Sequence, residues 1–329
     1  MTIIIPLAGY GTRLRPFTYE TPKPLLWVAG DTVLGWIFKS ISSLPISTIV
    51  LVIGYKGEEI MEWVNVNYPE LNIRWVMQKD SKGLGHAIWL AGKDIPRNED
   101  VLIYLGDTVF DVDWQEISSK DKNLIGVKEV SNPRRFGVAK VEDGEIIDVV
   151  EKPENPSSNL AIVGLYYIKE WNSLFPYLDT TIQKDIKTKG EYQLTDSYRM
   201  ILEEKDVILE PLYVKGWFDC GTKMSLLETN AYLLENFQEN RIEADWINNP
   251  CYINNSARIK DSIIGPNVSI GSGSVIENSF IENSIIWNDV NIINSYINES
   301  IIGNRVEIRN SRGIFHLATD SLIIGKEEK

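Results

Sequence analysis

From Cys251 onward an apolar side chain returns every six residues, in the runs Ile253 and Ile259; Ile264, Ile270 and Ile276; Ile281, Trp287 and Ile293; and Ile302, Ile308 and Ile314. No helix or ordinary strand has that period. A six-residue repeat with glycine or asparagine beside the apolar position is the signature of a parallel β-helix, in which each coil stacks an aliphatic layer on the last. Asparagine and glycine serve at its corners because they tolerate left-handed backbone. Breaks in phase separate the runs, and the array holds under four coils' worth of sequence. An asparagine- and serine-rich disordered tail is the competing reading, but disordered chains lack regularly spaced isoleucine.

The preceding residues obey a different grammar. Short Ile/Val/Leu runs, "TIIIPLA", "STIVLVIG", "NIRWVMQ", "DVLIYLGD" and "NLIGVKEV", read as strands buried on both faces. Between them "VLGWIFKSISS", "KGEEIMEWVNVNY" and "GLGHAIWLAGKDI" have the spacing of amphipathic helices. The βαβα order predicts an α/β, Rossmann-like, mixed and mostly parallel sheet with helices on both faces. Ligands of such sheets bind beyond the carboxyl ends of the strands. Residues 137–215 read as an α+β extension of this domain, with strands at "GVAKVED", "EIIDVVEKP", "LAIVGLYYI" and "VILEPLYV" and a helix in "QLTDSYRMILEEK". After a helical "MSLLETNAYLLENF", both periodicities fade near residues 236–250, so the domains are drawn as 1–240 and 241–329.

At 329 residues, two domains are the natural expectation. A formal charge of -13 argues against a nucleic-acid scaffold and makes the placement of each cation matter. The apolar runs are too short for a membrane span, and the N-terminus has no signal-peptide pattern, so the expected compartment is the cytoplasm. Cys220 and Cys251 have no metal-ligand company and read as reduced thiols.

The chemistry is expected after the strands. In "LAGYGTRLRPFTYETPKPLL", Gly9 and Gly11 let backbone N–H groups approach an anion, while Thr12 and Arg13 add a donor and a fixed charge. This is neither a Walker loop nor a dinucleotide fingerprint, since Leu14 stands where a third glycine is needed. A tight structural turn explains the glycines equally well. Arg13, Arg15 and Lys23 together in one loop favour a bound phosphate. Asp107 and Asp219 end two further strands, and two carboxylates with substrate oxygens suffice for a phosphate-carrying Mg²⁺.

The loop is similar to the G-x-G-T-R and K-P signature of the sugar-1-phosphate nucleotidyltransferases, also called nucleotide-sugar pyrophosphorylases. The family's later motifs follow in order: "QKDSKGLGHA" at 78–87, "LGD" at 105–107, "RRFGV" at 134–138, "VEKP" at 150–153, "VGLYYI" at 163–168, "GEYQLTD" at 190–196 and "WFDCGT" at 217–222. The set most resembles long-form glucose-1-phosphate thymidylyltransferases, whose fold ends in a left-handed β-helix. The resemblance implies that Leu7, Ala8, Gly9, Gly11, Thr12 and Arg13 hold the nucleotide triphosphate. Arg13 would offset charge on departing pyrophosphate, and Lys23 would approach the α-phosphate. Gln78 and Gly83 would read the base, and Asp107 would serve both nucleotide and metal, with Asp219 as the second Mg²⁺ ligand. Lys152 would pair with the sugar phosphate, while Gly137, Glu151, Val163 and Gly164 line the sugar site.

The resemblance implies that a sugar 1-phosphate attacks the α-phosphorus of dTTP or UTP, giving an NDP-sugar and pyrophosphate. Glucose 1-phosphate is the expected sugar, and assembly of identical subunits is expected. Pro24 follows the loop lysine where short thymidylyltransferases have glutamine, and "GLGHA" resembles the uridylyltransferase form, so the base stays open between thymine and uracil. His86 reads as a capping or packing residue. Two other readings stand beside this one: a bifunctional enzyme with acetyl transfer in the β-helix, where His316 is the sole histidine, and a non-catalytic subunit that has kept the motifs.

Overall fold

The computed structural model describes residues 1–119, 121–204, 207–237 and 242–325, so residues 238–241 of the expected domain boundary lie outside the described residues. By contacts the chain forms two compact units. One comprises Met1–Gly9 and Phe38–Trp217, the other Tyr10–Ile37 and Phe218–Lys329.

The first unit is built on a nine-stranded sheet. Its strands are β1 (Thr2–Pro6), β2 (Thr48–Ile53), β3 (Ile73–Met77), β4 (Val101–Tyr104), β5 (Asn123–Glu129), β6 (Gly137–Glu142), β7 (Glu145–Glu151), β8 (Leu160–Ile168) and β9 (Leu209–Tyr213). The order is β7-β6-β8-β4-β1-β2-β3, with β5 also on β8 and β9 on β5. β1 runs parallel to β2 and β4, β2 to β3, and β9 to β5. β8 is antiparallel to β4, β5 and β6, and β6 with β7 forms a hairpin. This is the mixed, mostly parallel α/β sheet expected.

Thr2, Ile3, Ile4 and Ile5 are all buried in succession, which only a strand covered on both faces requires. Helices α1 (Leu84–Gly92) and α2 (Leu194–Glu204) present Ala87, Ile88 and Ala91, and Leu194, Tyr198 and Ile201, to one core with Ile4, Val52 and Ile103. A helix over Phe175–Gln183 escapes sequence patterning. Its Thr180 and Thr181 are weak helix formers whose hydroxyls donate back to the Pro176 and Tyr177 carbonyls, and only its packing secures it. Among the described residues no helix is long and apolar enough to cross a membrane.

The second unit carries the left-handed β-helix as three parallel sheets of five, five and four short strands. Its aliphatic columns are Ile253, Ile270, Ile286, Ile302 and Leu317; Ile259, Ile276, Ile292, Ile308 and Ile323; and Ile264, Ile281 and Ile297. The strict six-residue phase is therefore corrected at three places. Ile286 and Ile292 point inward where Trp287 and Ile293 were expected, and Ile314 is exposed. The cause is unequal sides: the step from Ile270 to Ile276 is six residues, but those from Ile276 to Ile281 and Ile281 to Ile286 are five. Shorter coils also fit more turns into the same sequence, so the array, with five strands in two of its sheets, exceeds the expectation of under four coils.

Corners fall on residues with positive φ, among them Asn267, Asn278, Asn283, Asn294 and Asn310. Asparagine amides bond from coil to coil, Asn278 Nδ2 to Asn294 Oδ1 at 2.8 Å and Asn294 Nδ2 to Asn310 Oδ1 at 3.1 Å. Serines form a second ladder. The backbone N–H of Ser295 donates to Ser279 Oγ at 3.0 Å, and that hydroxyl donates to the Glu277 carbonyl at 2.7 Å.

The same unit holds residues 10–37 and helix α3 (Lys223–Phe237) against the β-helix. Asn230, fully buried on α3, accepts from the Ala29 N–H at 3.0 Å and from Ser269 Oγ at 2.6 Å, and donates to the Asn267 carbonyl at 3.0 Å. Trp287 faces outward from its coil, its ring 5.5 Å from Phe17 and its Nε1 donating to the Trp27 carbonyl at 3.2 Å. Tyr252 lies edge-on to Trp27, 5.7 Å between centroids.

Candidate functional site

Within the second unit, the glycine-rich loop turns tightly. Gly11 has φ 62°, and a Cβ there would stand 2.9 Å from Thr18 Cγ2 and 3.2 Å from Lys23 Cβ. Glycine is therefore required both by conformation and by space. Thr18 Oγ1 donates to the Gly11 carbonyl at 2.9 Å, and buried Leu14 and Phe17 anchor the turn from beneath. Thr12 and Arg13 are exposed above it. Lys23 is 9% exposed, at the start of a short 3₁₀ turn shared with Pro24. Arg15 lies over the Tyr19 ring at 4.9 Å.

Asp219 ends the strand Gly216–Asp219. A side chain on Gly221 would begin 2.6 Å from Asp219 Oδ1 and 2.7 Å from Arg13 Nη2, so the carboxylate and the guanidinium flank one small space. Thr222 and Ser225 cap α3 reciprocally, each backbone N–H donating to the other's hydroxyl at 3.0 and 3.1 Å. Cys220 is buried, its Sγ donating to Thr229 Oγ1 at 3.6 Å, in keeping with a packing role.

Within the first unit, the strand ends gather a second set of residues. Leu7 is buried beyond β1, its N–H donating to the Val52 carbonyl at 2.7 Å, and Ala8 faces Gly54, where a Cβ would come within 2.9 Å of it. Gly9 is exposed, with open space where its Cβ would be. Gly106 lets the "LGD" turn close over β1, because a Cβ there would meet the Pro6 carbonyl at 2.8 Å. That turn sets half-buried Asp107 beyond β4, its Oδ1 accepting from Thr108 Oγ1 at 3.2 Å.

Gln78 follows β3 and is 6% exposed. Its Nε2 is 3.3 Å from the Gly83 carbonyl and 3.1 Å from His86 Nδ1. Gly83, at φ 103°, is the N-cap of α1. His86 does not cap that helix. Its ring packs with Trp89 and Tyr192, with centroids 5.9 and 6.1 Å away, so the packing half of its expectation is the half observed.

A cavity of about 230 Å³ opens beside these residues, lined by Gly137, Glu151, Lys152 and Gly164, together with Leu84, Arg135, Gln193 and Thr195. Glu151 Oε1 lies 3.2 Å from Lys152 Nζ, and its Oε2 accepts from Thr195 Oγ1 at 3.2 Å. Lys152 adopts φ 44°, its carbonyl accepting from Lys189 Nζ at 2.8 Å. A Cβ on Gly164 would stand 2.0 Å from Leu105 Cδ1, so that glycine lets the residue after β4 pack against the middle of β8. Val163 is buried against Gly126 and does not line the cavity. Arg135, Gln193 and Thr195 sit within the quoted motifs, yet nothing in their spacing marks them as cavity residues.

The donors suit a hard divalent cation, since Asp107 and Asp219 offer carboxylate oxygen. Among the described residues no group of three or more His, Cys, Asp or Glu gathers for metal binding, so substrate oxygens would have to complete any shell.

A mixed sheet of this order followed by a left-handed β-helix defines an α/β nucleotidyltransferase architecture. Residues 2–236 match the family model for nucleotidyl transferase, and residues 247–327 match a GMPPB C-terminal domain. The chain belongs to the nucleotidyl transferase family. It is 36% identical to the bifunctional protein GlmU of Methanocaldococcus jannaschii over 237 residues, 71% of this chain and 55% of that protein. The match thus spans little more than half the length of that relative. It is 31% identical to the low-salt glycan biosynthesis nucleotidyltransferase Agl11 of Haloferax volcanii, over 86% of this chain and 87% of that one. Among solved structures, a protein described as a glucose-1-phosphate thymidylyltransferase from Bacillus anthracis superposes with a TM-score of 0.62 at 25% identity. It covers 73% of this chain and 98% of that one.

Proposed function

We propose that this nucleotidyltransferase moves a nucleotidyl group from dTTP or UTP to a sugar 1-phosphate, with glucose 1-phosphate first among candidates. The products are an NDP-sugar and pyrophosphate. The observation that carries the reading is the cavity holding Glu151 and Lys152 in a chain whose family match runs through it. Relatives support both bases: one is named a UTP–glucose-1-phosphate uridylyltransferase, 29% identical over 66% of this chain, and the Bacillus anthracis structure carries the thymidylyl name.

Both reactants are anions, so the protein's task is to offset repulsion and to align oxygen with phosphorus. In this reading Lys152 binds the phosphate of the sugar and Glu151 orients the lysine while accepting from sugar hydroxyls. Gly137 and Gly164 keep the cavity open at its floor. Ala8, Gly9, Gly11 and Thr12 supply the backbone and hydroxyl donors of the triphosphate loop, while Leu7, whose N–H is engaged by the Val52 carbonyl, anchors its start. Arg13 stabilises charge developing on pyrophosphate, and Lys23 stabilises the α-phosphate as it is attacked. Gln78 and Gly83 meet the base. Mg²⁺, held by Asp107 and Asp219, would supply charge neutralisation of the phosphates. The attacking phosphate oxygen is already ionised, so no general base is needed.

The division into domains at residues 240 and 241, a cytoplasmic setting and assembly of identical subunits belong to the same proposal. The test is pyrophosphate release across a matrix of nucleoside triphosphates and sugar 1-phosphates. Turnover is expected with UTP or dTTP and glucose 1-phosphate; no turnover with any pair sinks the enzymatic reading.

A further inference from the structure

A glutamine amide has two ends, and which end faces a ligand decides what it can read. At Gln78 the protein makes that choice. The Gly83 carbonyl can only accept, and it lies 3.3 Å from Nε2, so the nitrogen end of the amide is turned inward. The same nitrogen is 3.1 Å from His86 Nδ1. An amide nitrogen only donates, so Nδ1 must accept, and the imidazole is neutral with its proton on Nε2. Both amide hydrogens are thereby engaged by the protein. Among the described residues none donates to Gln78 Oε1, which is the end left for a ligand.

An acceptor at that place matches the N3–H of uracil and thymine. It mismatches cytosine, whose N3 presents a lone pair. We propose that His86 is a positioning residue that sets base choice: by accepting from Gln78 it locks the amide with its oxygen outward, so the site takes imide pyrimidines and rejects cytosine. The inference rests on the nucleotidyl-transfer reading and on Gln78 as its base reader.

The ring is well held for this task. It stacks with both Trp89 and Tyr192, at interplanar angles of 27° and 29°, so swinging away from the amide would disturb both contacts. Trp89 is fixed by Asp179, to which its Nε1 donates at 2.9 Å, and Tyr192 by its hydroxyl contact to Asp185. The charged groups around the imidazole are Asp80, Lys82 and Lys93, with Asp179, Asp185 and Lys187 behind the two aromatic rings. Burial first, then Lys82 and Lys93, lower the His86 pKa below 6.5, with Asp80 opposing. The accepting, neutral ring is therefore the form present at neutral pH. Protonation would turn Nδ1 into a donor and favour the opposite end of the Gln78 amide.

The test compares wild type, H86N and H86L by pyrophosphate release with UTP and with CTP, and by equilibrium binding of the same two nucleotides. Asn Oδ1 can stand where His Nδ1 stands; leucine keeps the apolar contacts and removes the acceptor. In H86L the UTP-over-CTP ratio in kcat/KM and in binding should fall by about tenfold or more, chiefly through KM, while H86N holds within about threefold of wild type. Wild-type discrimination should also fall as pH drops through the His86 pKa and stay level in H86N. A wild-type ratio in H86L, or equal loss in H86N and H86L with both folded by thermal unfolding, overturns the proposal. Absence of turnover in wild type would instead sink the transferase reading, and the binding ratios would still decide the role of His86.

Discussion

The Arg13 guanidinium and the Asp219 carboxylate close on a single point, the place where a side chain on Gly221 would begin, 2.7 and 2.6 Å away. Both groups end flexible or short side chains, so an added methyl would displace them and leave the backbone in place. Gly221→Ala should therefore fold normally yet lose about 10- to 100-fold in kcat/KM for pyrophosphate release. Thermal unfolding beside steady-state kinetics separates the two effects; a large drop in melting temperature with unchanged activity would count against the placement.

Asn230 satisfies three partners from one buried amide, the Ala29 N–H, Ser269 Oγ and the Asn267 carbonyl. Asn230→Ala leaves them without it and should cost about 2–4 kcal/mol in denaturant unfolding. It should also raise KM for the nucleoside triphosphate, because residues 10–37 lose a tether to the β-helix. A neutral variant would mean that water replaces the amide.

Adjacent isoleucines offer a test of β-helix register. Ile292 is fully buried between Ile276 and Ile308, whereas its neighbour Ile293 is only half-buried. Ile292→Ala should cost about 2–5 kcal/mol and Ile293→Ala about 1 kcal/mol or less. The reverse order would restore the strict six-residue phase.

Acid sensitivity should involve Asp100. Burial works to raise its pKa, but the Glu170 N–H, the Tyr167 hydroxyl and Lys169 all bond to the carboxylate and bring it below the usual 3.8. A depressed folded pKa adds stability above the unfolded value, and that stability is lost as pH falls through the folded one. Asp100→Asn should lower the melting temperature at pH 7 and flatten its decline below pH 4. An unchanged acid limb would remove Asp100 from the account.

Acetyl transfer is expected to be absent. His316 is half-buried, and burial followed by Lys223 lowers its pKa. Acetyl-CoA consumption with glucosamine 1-phosphate, measured as free thiol release, should stay at background, and release above it would restore the bifunctional reading.

The sheet strands were legible because each is a short, doubly buried apolar run, and "TIIIP" has no other stable use. The β-helix was legible as a period but not as a register, since sides of five and six residues look alike until corners such as Asn278 and Asn294 are placed in space. The helix Phe175–Gln183 hid behind threonines. At the site, the family resemblance pointed to Gly137, Glu151, Lys152 and Gly164, which do line one cavity, and to Val163, which does not, and it was silent on Arg135, Gln193 and Thr195 beside them. Asn230 was illegible: its partners come from residues 29, 267 and 269, and only folding brings such distant positions together.

The hydroxyls of Ser262, Ser279, Ser284, Ser295 and Ser300 each do two jobs, closing their own corner and receiving a backbone N–H of the coil that follows. A finished coil is thus a mould for the next. Length in such a structure is a count that evolution can raise or lower by one whole turn without redesigning what came before, a freedom denied to the sheet. The residues that hold the 10–37 segment, Tyr252 and Trp287 directly and Ser269 through Asn230, lie on three successive coils. The array therefore acts as a ruler for that segment, and its early marks are the ones that cannot be moved.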